Sequence, residues 1–242
     1  MKLYTEFIRS LLTQKIRTPK KNLSLGLYLW HVIITIIAIN ITVDVFAWLF
    51  NETENFSQYR GELMTTPSEL YAYMGIFVFP LVEEMTFRLG LNKNRSHILI
   101  SSALIFSFFI TLFILYIYQD EISSHFLTYL ILHPIIALIS YFALNYRKFE
   151  DTSLIDLLDS LVKNHFRFSC YLSAILFSLS HILFQLMYQN ISVLAMTFGF
   201  ITYFFSGLIF NKMRIEKGFL FAVIFHACYN ALGFLPFILN GD

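Results

Sequence analysis

Residues 25–50, LGLYLWHVIITIIAINITVDVFAWLF, contain no lysine, arginine or glutamate. An α-helix rises 1.5 Å per residue, so about 20 apolar residues cross a hydrocarbon layer. The stretch far exceeds the apolar core of a signal peptide, about 7 to 15 residues, and no small-x-small cleavage site is evident. It therefore reads as a transmembrane helix. Further apolar runs of similar length lie near 68–88, 97–118, 125–145, 168–188, 191–210 and 218–239. The expected fold is all-α, a polytopic transmembrane helical bundle of about seven spans. The expected separators are Asn51–Pro67, Gly90–Ser96, Gln119–Ser124, Arg147–Arg167, Gln189–Asn190 and Asn211–Lys217.

Composition supports the membrane reading. Hydrophobic residues make up 57% of the 242 positions and charged residues 14%, against about 25% charged in ordinary soluble domains. Mean hydropathy is +0.64. A formal net charge of +1 gives no reason to expect nucleic acid as a partner. Cys170 and Cys228 both fall in apolar runs without C-x-x-C spacing, so no disulfide framework is expected.

The placement of charge is more informative than its sum. Of the 17 lysines and arginines, all but Arg60 fall before the first run or after the second, fourth and sixth. Basic residues are retained in cytoplasmic loops, which puts the amino terminus in the cytoplasm and the carboxyl terminus outside. Three regions follow: a basic lead-in over 1–24, a first helix with its outer loop over 25–67, and a helical core over 68–242. Within residues 151–165, Leu154, Leu157, Leu158 and Leu161 recur at helical spacing. This segment reads as an interfacial helix starting at an Asp151 to Ser153 cap.

Three of the apolar runs carry polar groups that a lipid-facing helix avoids. Ionisable residues inside a membrane are costly unless they pair or line a cavity, and by default they mark function. The first set is Glu83-Glu84-Met85-Thr86-Phe87-Arg88. Glu84 and Arg88, at i and i+4, can pair on one helical face while Glu83 points about 100° away. One glutamate thus has a structural task and the other is free for chemistry. The bland alternative is a polar helix end with Arg88 snorkelling to the interface. The second set is Phe177 and His181, one turn apart; alone, such a histidine is more often a hydrogen-bonded packing residue. The third is His226 and Asn230, again i and i+4, two donors able to hold an oxyanion or to form a polar seam between helices. Taken together, a carboxylate, two histidines and an asparagine supply a base, an acid and donors, the needs of amide hydrolysis.

The three sets, E-E-x-x-x-R, F-x-x-x-H and H-x-x-x-N, occur in the order found in the CAAX-protease and bacteriocin-processing (Abi) intramembrane proteases, and the chain resembles that family over roughly residues 70–240. The resemblance implies an intramembrane endopeptidase in which Glu83 and His181 activate water, His226 and Asn230 stabilise the oxyanion, and Glu84, Arg88 and Phe177 support the site. It departs from the family pattern in carrying two inserted spans, within 97–145, between the first two motifs. An even number of passes keeps the motif helices in the same orientation. The family's substrates imply a prenylated CAAX-type peptide, a leader peptide or another membrane-associated chain. Its members imply a bacterial plasma membrane with the site opening to the cytoplasm, and membrane lipid as the other partner.

A divalent metal such as zinc, on Glu83, His181 and His226, stays open as an alternative to metal-free chemistry. The H-E-x-x-H spacing is absent and asparagine is a poor zinc ligand, so the metal-free glutamate mechanism is preferred. Two other function classes compete. A proton-coupled transporter would also carry buried ionisable groups, but no internal repeat or pair of broken helices is visible. A non-catalytic scaffold or immunity protein of the same fold would keep the motifs without using them.

Overall fold

The expected apolar runs are mainly helical where the structure, a computed structural model, describes them. The described residues are 2–13, 25–50, 73–117, 125–146, 148–149, 152–186 and 192–240. The expected loops at Asn51–Pro67 and Gln119–Ser124, the Gln189-Asn190 connection and Asp151 lie outside them. Among the described residues, four helices are long and apolar enough to cross a membrane: Gly26–Leu49, Arg95–Ile117, Phe166–Leu183 and Val193–Lys217. Shorter apolar helical stretches cover Ile131–Tyr146 and Phe219–Leu232. The chain divides into two units, Met1–Leu81 with Asn190–Asp242, and Val82–Gln189.

In the first unit, α1 (Lys2–Thr13) lies within the basic lead-in. It buries Phe7 and Leu11, at i and i+4, while Glu6 and Arg9 stay exposed. The Phe7 ring meets Tyr28 edge-on at 5.7 Å. Tyr28 belongs to α2 (Leu25–Leu49) and starts a buried stripe with Val32, Thr35, Val43 and Ala47. Polar groups on this apolar helix bond to their own backbone: Thr35 Oγ1 donates to the His31 carbonyl at 2.7 Å and Asn40 Nδ2 to that of Ile36 at 3.0 Å. Internal satisfaction of this kind is what hydrocarbon demands.

Helix α8 (Val193–Lys217) corrects the sequence reading. Asn211–Lys217, expected as a connection, forms its last two turns. Asn211, Lys212 and Arg214 are buried there, Lys212 Nζ reaches Glu216 at 2.6 Å, and the same ammonium lies 5.7 Å from the Phe7 ring centre. Charges so paired have no need of a loop. The break comes at Gly218, whose φ of +93° only glycine takes without strain, and α9 (Phe219–Asn240) follows.

The second unit centres on α4 (Arg95–Ile117), α5 (His125–Tyr146), α6 (Leu154–Asn164) and α7 (Phe166–Leu186). Helices α4 and α5 are joined by a polar link: the Ser107 hydroxyl, fully buried, donates to the His133 carbonyl and lies 2.8 Å from His133 Nδ1. Ile98, Leu99, Ala103, Leu144 and Ile155 form one apolar cluster across α4, α5 and α6. The three helices thus share a core. A short antiparallel pair, β1 (Lys148–Phe149) and β2 (Thr152–Ser153), leads into α6.

The cap of α6 is Ser153, which accepts from the Asp156 amide at 3.3 Å while Asp156 accepts from the Ser153 amide at 3.0 Å, a reciprocal capping box. Arg95 adds an ion pair to Asp156 at 2.6 Å. Removing the cap with Ser153→Ala is expected to weaken the helix by about 1 kcal/mol, read as faster amide exchange over 154–164. The Ser153 hydrogen bonds, and after them Arg95, hold the Asp156 carboxyl below the ordinary aspartate value of 3.8. A carboxyl lowered on folding stabilises above its unfolded value, and the contribution fades as pH falls through the folded value. Protection of α6 is therefore full well above pH 3.8 and declines on acidification below it.

Candidate functional site

The acid-bearing run is helical but not regular. From Met74 it passes through a π-helical turn (Met74–Val78), α3 (Phe79–Glu83), a second π-helical turn (Glu84–Arg88) and a 3₁₀ turn (Leu89–Asn92). A uniform α-helix was the expectation, and the difference has a local cause. Pro80 has no amide to offer the carbonyl of Ile76 four residues earlier, so the preceding turn widens. At the second turn, hydroxyls from two other helices take the carbonyls: Ser101 donates to Thr86 O at 2.5 Å and Ser173 to Phe87 O at 2.7 Å. Single π-turns of this kind recur at functional sites.

Glu84 and Arg88 pair as their spacing implies. Nη1 of Arg88 lies 2.8 Å from Oε1 of Glu84, and both side chains are fully buried. The Arg88 guanidinium also stacks on the Phe177 ring, 4.3 Å from its centre. Glu83 is placed differently. Its Oε1 lies 3.7 Å from His181 Nε2, and the two side chains keep 22% and 24% of their exposure. Glu84 is sealed, whereas Glu83 is half-buried and faces the histidine.

The histidine tautomer follows from its hydrogen bonds. Nδ1 of His181 lies 2.9 Å from the Phe177 carbonyl, an oxygen that only accepts, so Nδ1 carries the proton. In the neutral ring, Nε2 then presents its lone pair to the Glu83 carboxylate. Two acceptors facing at 3.7 Å need a proton or a bridging donor between them. A water molecule fits both requirements. Phe177 fixes the ring from its edge, with centroids 4.5 Å apart.

His226 and Asn230 belong to the first unit, one turn apart on α9 as expected. His226 is buried and stacks on Phe210 of α8, with centroids 4.1 Å apart and planes inclined by 22°. Nδ2 of Asn230 donates to the Gly75 carbonyl at 2.9 Å, in the first π-turn. That bond uses one amide hydrogen and orients the other. Gly75 permits the close approach, since a Cβ there would sit 2.6 Å from the Phe234 ring. The structure thus gathers Glu83, Glu84, Arg88, Phe177 and His181 in one unit and His226 with Asn230 in the other.

Three contributors escaped the sequence reading. Phe210 lies in an aromatic run with nothing to mark it. Ser101 is one of several small residues in α4. Ser173 had a signal, four residues before Phe177 on the same face, but a lone serine in an apolar helix commonly bonds only to its own backbone.

No family model, curated protein or solved structure matches this chain. The functional reading therefore rests on residues and geometry. A zinc site needs three protein donors or more; among the described residues no group of three His, Cys, Asp or Glu lies together. No chemical step is assigned to a metal on these donors.

Proposed function

We propose that the protein is a multi-pass intramembrane endopeptidase of the kind its three motifs resemble, with about seven spans, a cytoplasmic amino terminus and a place in a bacterial plasma membrane. The observation that carries the reading is the half-buried Glu83 carboxylate facing His181 Nε2 at 3.7 Å, with Nδ1 committed to the Phe177 carbonyl. A water beside the pair, donating to both, loses a proton to Glu83 as its oxygen attacks the scissile carbonyl, and His181 holds that water by accepting its second hydrogen. A tetrahedral oxyanion needs hydrogen-bond donors, and the resemblance assigns that role to His226 and Asn230. Collapse breaks the C–N bond, and the proton on Glu83 passes to the leaving amine. Glu84 and Arg88 neutralise one another and keep the turn that carries Glu83 in shape.

The test is cleavage of prenylated and unprenylated peptides by the purified chain in detergent, with and without chelator. Cleavage that survives chelation and is lost in His226→Ala supports the reading. A folded wild type that cleaves nothing in the panel turns it toward a non-catalytic scaffold, and chelator-sensitive cleavage overturns the metal-free form.

A further inference from the structure

Ser173, Phe177 and His181 stand at four-residue steps on one face of α7, and each meets the acid-bearing turn. The Ser173 hydroxyl donates to Phe87 O at 2.7 Å. The Phe177 ring packs edge-on to Phe87 at 5.7 Å and under Arg88 at 4.3 Å. His181 faces Glu83 at 3.7 Å. Along α7 the partners are Phe87 for Ser173, Phe87 and Arg88 for Phe177, and Glu83 for His181. The three contacts form a ladder with one register.

We propose that Ser173 is a positioning residue that sets this register, so that His181 stands opposite Glu83. Apolar contact alone is non-directional and tolerates sliding, whereas a hydrogen bond weakens steeply with misalignment. The Phe87 carbonyl is a suitable anchor because there the π-turn gives way to the 3₁₀ turn and the backbone partners change from i+5 to i+3. Ser173 is buried at 6% exposure, and its bond joins residues 86 positions apart. The inference deepens the protease reading and rests on it for the role of Glu83 and His181; the register itself does not.

Threonine and valine at position 173 have the same shape and differ only in the hydroxyl. Both variants are made in the full chain in detergent, and two quantities are read. Ser173→Thr is expected to keep kcat, while Ser173→Val loses roughly 100-fold in kcat at unchanged KM, the effect of about 1 Å of misplacement. Independently of cleavage, the side-chain ¹⁵N signals of His181, in histidine-labelled protein at fixed pH, move in Glu83→Gln. They are expected to move likewise in Ser173→Val and to stay in Ser173→Thr. A valine variant whose His181 signals match wild type overturns the proposal whatever its activity. A wild type without cleavage but with this signal pattern leaves the register role standing and removes the protease reading instead.

Discussion

Arg88→Ala is expected to destabilise the protein by about 3–5 kcal/mol, the cost of leaving one buried charge without its partner. The size follows from burial. Arg88 and Glu84 are each at 0% exposure and 2.8 Å apart, so water cannot solvate the carboxylate that the substitution strands. The variant also empties the space over Phe177, where the guanidinium now sits 4.3 Å from the ring. Glu84→Ala has the mirror effect, stranding the cation. Removing both charges is different in kind. The pair Glu84→Gln with Arg88→Met keeps volume and leaves no uncompensated ion, and replacements of this sort are often neutral or stabilising. Thermal unfolding in detergent is expected to rank wild type and the double variant together, well above Arg88→Ala. An Arg88→Ala protein melting with the wild type would mean that this pair does not hold the turn.

That pair also marks how far the sequence could be read. The i, i+4 spacing of Glu84 and Arg88 announced it, because the spacing brings side chains together on an α-helix and on a slightly wider π-turn alike. The different placement of Glu83 and Glu84 was legible for the same reason: neighbours on a helix point apart. What the spacing could not carry was the irregular backbone. A π-turn depends on whether outside groups take the carbonyls that the ladder releases, and Ser101 and Ser173, 15 and 86 positions away from their partners, are invisible to a local pattern. Charge was misread at Asn211–Lys217 because polar residues normally end an apolar span. Here α1 folds back over them, with Phe7 beside Lys212, and the helix continues to Gly218. The cap of α6 was legible because a capping box is local in sequence.

The second large effect expected is on chemistry, with little on stability. Glu83→Gln removes the base while keeping the size and one hydrogen-bond acceptor of the side chain, and should lower kcat by roughly 10²- to 10⁴-fold, the usual contribution of a positioned general base. Its unfolding temperature should stay near wild type, because the substitution leaves the buried Glu84–Arg88 pair intact and strands no ion. Glu84→Gln gives the contrast. It strands Arg88 in a sealed site, so its losses of activity and of stability should move together. The two neighbouring glutamates then separate cleanly in a plot of activity against melting temperature, one falling along the activity axis alone. Should Glu83→Gln retain full proteolysis, the water-activating role has to leave Glu83, and its 3.7 Å approach to His181 becomes one more polar contact within α-helical packing.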